Sequence, residues 1–175
     1  TILREATRQG LLRACSLRLC NVYGYGGASI NTNRGMLNAM MERALRGEAL
    51  TPYGDGRYIR DFIHLSDVVE AFCAALDSER IFDGSAYVIA SGEGHSLADA
   101  FAMIAAEAQR QTGRHVPVTP RPEPADLHRI EKRNFVGNSS LFQQLTGWRP
   151  KIDLAAGIHD YFTSALSVPD FAPAR

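Results

Sequence analysis

RYIRDFIHLSDVVEAF, residues 57–72, changes its period halfway along. From Tyr58 to His64 the residues alternate as a strand does. Beyond it, Val68, Val69, Phe72, Cys73 and Leu76 form one apolar stripe at helical spacing. The stripe predicts a helix over 67–76, with Ser66 as N-cap and Val69 and Glu70 in its first turn. Within the strand, Arg60 and Phe62 share one face and Asp61 takes the other. Arginine offers a planar fork of donors suited to phosphate or carboxylate, and a strand holds it more firmly than a loop. From spacing alone, an ion pair with Asp61, Asp55 or Asp67 accounts for Arg60 better than a ligand does.

On the amino-terminal side, residues 1–9 read as a helix closed by Gly10. Residues 14–22 form an apolar run containing Arg18 and read as one buried strand. Residues 23–34 are rich in Gly, Asn and Ser and read as a loop, and residues 35–46 as a helix ended by Gly47. Leu50 to Tyr53 is a short strand, and Gly54 to Gly56 a turn. On the other side, residues 86–90 are a strand, and Ser96 caps a helix to about Gln109. Residues 116–119 are extended, and Pro120, Pro122 and Pro124 prevent regular structure. Phe135 and Val136 read as a brief strand, residues 139–145 as a short helix stopped by Gly147, and residues 154–166 as the last helix.

The chain has 175 residues, 45% of them hydrophobic, a globular composition long enough for a real core. Lys+Arg and Asp+Glu are both 19, so no nucleic-acid partner and no membrane partner is expected. Cys15, Cys20 and Cys73 have no metal-ligand spacing, so no metal is expected. There is no signal-peptide pattern and no apolar run of membrane-spanning length, which gives a reduced, cytoplasmic expectation. TILREATRQG lacks an initiator Met and reads as the end of a helix already under way, so a fragment is expected.

Single residues say less. His64, His95 and His128 have no partner in sequence, and no catalytic role is assigned to them. Asp67, near a helix start, has an ordinary role on the helix dipole. Asn21 ends an apolar run where a Gly-rich loop opens, which is where open α/β sheets bind ligands; a turn-forming role fits it equally well. GYGG at 24–27 lacks the full dinucleotide pattern, and neither a phosphate-loop lysine motif nor a G-x-S-x-G elbow occurs.

The order of the segments is more specific. LRLCNVYG, GEALTPYGDGRYIRDFIHLSDVVEAF, YVIASGEGHSL and LTGWRPKIDLAAGI follow one another as LRxxNVYGP, GDGxxxRDFxxVxDVVxA, YNxGxGxxxS and LGWxPxxxLxxGL do in the nucleotide-sugar epimerase/dehydratase family. These are extended short-chain dehydrogenase/reductases, and the resemblance covers nearly all of residues 17–158. It implies an α/β fold: the last elements of a Rossmann-type doubly wound sheet over residues 1–30, a small α/β substrate-binding domain mainly over 31–168 with some segments returning to the first, and a tail at 169–175. It also implies hydride transfer between a sugar carbon and NAD or NADP, with a Tyr-x-x-x-Lys pair as base. That pair and the Gly-rich cofactor loop are absent from these residues. The chain therefore resembles the carboxyl-terminal half alone, inactive by itself, not expected to hold the cofactor tightly, and a homodimer when complete. A non-catalytic nucleotide-sugar binding module and an oligomerisation fragment are the rival readings.

The resemblance assigns roles position by position. Leu19 and Cys20 match positions lining the nicotinamide, and Asn21 a substrate-phosphate contact. Arg34 and Gly35 match the substrate-binding turn at a helix start, and Leu50 and Tyr53 a pair that sandwiches the nucleobase. Arg60 matches the arginine on the diphosphate of a nucleoside-diphosphate sugar, which reverses the spacing argument. Asp126 matches an acidic residue on the ribose, and Arg121, preferred over Arg133, a second phosphate arginine. Asp61 and Asp67 are left as structural supports. Tyr25 stands where relatives have proline, and RPEPADLHRIEKRNFVGN is longer and more basic than the relatives' RPGD segment.

Overall fold

The step from strand to helix at residues 57–72 forms, but its strand is in two pieces. In this computed structural model residues 2–27 and 35–168 are described. Helix α1 is Ile2–Arg8. Strands β1 (Ser16–Leu19) and β2 (Asn21–Tyr23) follow, broken at Cys20, where one strand was expected. Helix α2 is Met36–Leu45. Strand β3 is Ile59–Arg60, β4 is Phe62–His64, and helix α3 is Leu65–Asp77. Strand β5 is Ala86–Ile89, β6 is His95–Ser96, and helix α4 is Leu97–Thr112. Helices α5 (Ser140–Thr146) and α6 (Leu154–Leu166) complete the chain, with short 3-10 turns at Glu79–Ile81 and Arg129–Lys132.

The strands pair two by two, each with a strand distant in sequence, and mostly in parallel. β1 runs parallel to β5, from Ser16 opposite Ala86 to Leu19 opposite Ile89. β2 runs parallel to β4, from Asn21 opposite Phe62 to Tyr23 opposite His64. β3 pairs antiparallel with β6, Arg60 opposite His95. The chain thus changes partners at Asp61, whose buried carboxylate explains the break. It accepts hydrogen bonds from Ser91 N and Oγ, Gly92 N and Gly137 N at 2.9–3.0 Å, and a buried charge needs such a set.

β4 is buried along its whole length and divides two cores. Phe62 joins the core of α2, α4 and α6, with Met41, Phe101, Ile104, Ile158 and Phe162. Ile63 joins the core beneath α3 and α5, with Val68, Ala71, Tyr87, Ile89, Phe142 and Trp148. Neighbours on a strand point to opposite faces, so one short strand serves both.

Several expectations are corrected. α3 begins at Leu65, and its N-cap is His64, whose Nδ1 accepts from Ser66 N at 3.3 Å; Ser66 lies inside the helix. The buried face of α3 is Asp67, Val68, Ala71 and Ala75, while Val69, Phe72 and Leu76 are 54%, 49% and 76% exposed. Leu50 and Tyr53 make isolated parallel bridges to Val118 and Arg121 in place of a strand. Phe135 and Val136 form none; Phe135 N simply donates to Ile59 O at 3.1 Å. Tyr23 belongs to β2, not to the loop after it. No helix among the described residues is long and apolar enough to cross a membrane.

Candidate functional site

The candidate site gathers around the carboxyl end of β3 and the start of β2. Asn21 lies beside Asp61: its backbone N–H and its Nδ2 both donate to Asp61 O, at 3.2 and 2.8 Å. Arg60, one residue earlier, is 7% exposed. Its Nη1 donates to Ile59 O at 3.0 Å and to Arg133 O, and its Nη2 to Glu131 O at 2.6 Å. The segment around the 3-10 turn Arg129–Lys132 therefore wraps the guanidinium. Asn134 Oδ1 fastens that segment to β3 by accepting from Ile59 N at 2.9 Å. Lys132 pairs with Glu123 at 2.9 Å, and Tyr58 donates to the same carboxylate at 2.8 Å. Those contacts hold the Glu123 carboxyl below its ordinary value.

Tyr53 and Arg121 come together through their backbone bridge. The Arg121 guanidinium lies over the Tyr53 ring, 4.4 Å from its centroid, and Nη2 donates to Tyr53 Oη at 2.9 Å. Stacked cation and ring offer a flat, charged surface. Arg133 lies over the Phe135 ring at 5.3 Å, and its contribution at Arg60 is its carbonyl. Leu50 departs from expectation: it is fully buried in the α2–α4–α6 core, because its bridge to Val118 faces that core, so it has no surface for a nucleobase. Asp126 is exposed on the turn closed by Leu127 N donating to Pro124 O.

Gly35 precedes α2 at φ 103°, a left-handed conformation that suits glycine, and no side chain caps that helix. Asn38 ties α2 to the loop after β2: its side chain accepts from Gly24 N and donates to Gly24 O, both at 3.1 Å. Arg34 lies outside the described residues.

Leu19 and Cys20 sit at the carboxyl end of β1, where Cys20 N donates to Ile89 O at 3.0 Å. Leu19 is 41% exposed. Burial, helped by the Asp61 charge, pushes the Cys20 thiol up to about 12, so it stays protonated and is no nucleophile. A Cβ on Gly137 would overlap Ala90 and crowd the Cys20 sulfur, so this backbone packs with no room to spare. The carboxyl end of parallel strands is the ligand-binding end of an open α/β sheet.

Sequence reasoning missed a cavity of about 110 Å³ lined by Phe62, Ser91, Glu93, His95 and residues 150–154. It adjoins the β3–β6 pair, and its walls come from three distant segments whose only sequence signal was their order. It also missed Glu131 and Asn134, which meet β3 from the basic segment.

Comparison with known proteins bears on the family and the fold. The model of the NAD dependent epimerase/dehydratase family matches residues 1–90. The dTDP-L-rhamnose 4-epimerase of Burkholderia thailandensis is 31% identical over 153 residues, 84% of this chain and 38% of its own length. The UDP-glucose 4-epimerase of Corynebacterium glutamicum is 28% identical, over 89% of this chain and 49% of its own. The chain thus spans less than half the length of these curated relatives. Among solved structures, the UDP-glucose 4-epimerase of Thermotoga maritima with UDP-glucose superposes on 93% of this chain and 48% of its own, with a TM-score of 0.76 and 26% identity.

Proposed function

The chain belongs to the NAD dependent epimerase/dehydratase family, and we propose that it is the substrate-binding half of an enzyme that oxidises a nucleoside-diphosphate sugar to a transient keto sugar. On this reading residues 1–30, with β4 and β5 alongside, end a Rossmann sheet, and most of residues 31–168 hold the substrate. Epimerisation, dehydration or reduction would follow from the keto sugar. The match to less than half of each relative supports the division, as does β1, which pairs on one side only among the described residues.

Bound NAD or NADP would supply the hydride acceptor. This chain's part is to bind and orient. Leu19 and Cys20 would touch the nicotinamide side. Asn21 and Arg60 would hold the diphosphate, with Gly35, just before α2, and its sequence neighbour Arg34. Tyr53 and Arg121 would face the base and the second phosphate, and Asp126 the ribose. The observation that carries the reading is Arg60, a 93%-buried cation wrapped by carbonyls, with no carboxylate at hydrogen-bond distance among the described residues. A buried charge without a full counter-charge is costly, and an anionic ligand supplies one.

Calorimetric titration with UDP, dTDP, GDP and CDP tests this. Arg60→Ala is expected to weaken nucleoside-diphosphate binding by about 10-fold or more, the loss of one charge-assisted contact. Equal affinities would remove Arg60 from the site. The intact mass of the protein purified from its source tests the division: about twice 19.2 kDa is expected, and 19.2 kDa itself would count against it.

A further inference from the structure

A guanidinium has five N–H donors. Arg60 gives three to the carbonyls of Ile59, Glu131 and Arg133. Among the described residues, its Nε–H and one Nη2–H have no hydrogen-bond acceptor. The carboxylate facing the guanidinium is that of Glu131, with Oε2 3.7 Å from Nη2, beyond hydrogen-bond distance, and a side chain that is 59% exposed. Glu131 thus holds Arg60 in two different ways. Its backbone carbonyl is a tight ligand of the buried cation, and its side chain is a loose counter-charge reaching in from solvent.

We propose that the Glu131 carboxylate is a displaceable stand-in for the anionic ligand, guarding Arg60 when the site is empty. The proposal rests on the diphosphate reading of Arg60. An entering diphosphate takes the unused donors and turns the Glu131 side chain out to water. The backbone grip of residues 131 and 133 on the guanidinium stays in place, so the strap need not unfold. Two features suit Glu131 to this role. Its carboxylate is close enough to offset part of the buried charge, yet too distant and too solvated to hold it strongly. The other carboxylate near the strap, Glu123, is committed to Lys132 and Tyr58 at 2.9 and 2.8 Å and cannot take its place. The guard acts against every anion at this position, and it weakens binding by the strength of one exposed ion pair.

The test uses the full chain and measures the Kd of UDP and of inorganic pyrophosphate by calorimetry. Glu131→Gln keeps the backbone carbonyl and removes the charge. It is expected to tighten both ligands by about two- to fivefold, the range of an exposed ion pair. The gain should vanish when Arg60→Met is added. An unchanged or weaker Kd in E131Q, with R60M still weakening binding, overturns the guard and leaves the diphosphate reading standing. A gain that persists in the R60M background also overturns it, since the effect would then be general surface charge. Equal affinities in R60M and wild type overturn the diphosphate reading, and the guard with it. If R60M does not fold, the Arg60 Nε–H resonance in ¹⁵N NMR decides. It should move when UDP is added and also in E131Q alone; no movement in E131Q overturns the guard.

Discussion

His64 combines three jobs in one buried ring, 3% exposed. Its Nδ1 caps α3 by accepting from Ser66 N, which leaves the proton on Nε2, 3.5 Å from Asp160 Oδ2. Its ring meets Tyr23 edge-on at 5.3 Å. Burial pulls its pKa below the usual 6.5, against the smaller opposing pull of Asp160 and Asp67. The unfolded chain therefore takes up the proton first. The stability that follows is fully present above about pH 6.5 and is lost as pH falls through the lowered folded value. His64→Asn keeps a capping acceptor and removes the titration. Urea midpoints of wild type should fall more steeply from pH 7 to pH 5 than those of H64N; coincident slopes would rule this out. Sequence spacing placed Arg60 on a strand but had no means of showing how it is wrapped, because Glu131 and Arg133 approach from far along the chain. Asp61 was legible as a support and not as the point where the chain changes sheets. Its donors, Ser91, Gly92 and Gly137, are equally remote.

At the scale of an element, α6 shows what local chemistry settles. The apolar run read as a helix over residues 154–166 forms with those bounds, and Asp153, which was not singled out, caps it by accepting from Ala156 N. α3 shows the reverse. Its periodicity picked out a stripe, yet the stripe's smaller neighbours face the core, because Ala71 and Ala75 allow α3 to lie close to the sheet. A pattern gives a face; packing decides which face goes inward. Gly157 in α6 tests such close packing. Alanine in a helix interior is normally worth about 1 kcal/mol over glycine. Here the new Cβ would overlap the Tyr23 hydroxyl and ring, which β2 and the bond from Tyr23 Oη to Asp153 O hold in place. Overpacking costs about 1–3 kcal/mol and should win. G157A is expected to unfold at lower urea than wild type; equal or greater stability would show that β2 and α6 are not so closely packed.

Over the whole molecule, two cores are joined by a strand that neither can spare, and apolar surface remains outside both. Val69, Phe72 and Leu76 are exposed on one helix. Contiguous apolar surface of this kind promotes association. The double substitution Phe72→Gln and Leu76→Gln should reduce hydrophobic-dye binding and concentration-dependent self-association, measured by light scattering. Its effect on stability should stay within about 0.5 kcal/mol, as for surface positions. Unaltered dye binding would place the sticky surface elsewhere. The parallel pairing of β1 with β5 also bears on synthesis. Ser16–Leu19 have as partners Ala86–Ile89, so β1 leaves the ribosome long before the segment it pairs with. At roughly 5–20 residues per second, it waits several seconds with its edge open. Nascent-chain binders have their best opportunity there, and pausing of translation between β1 and β5 would lengthen it.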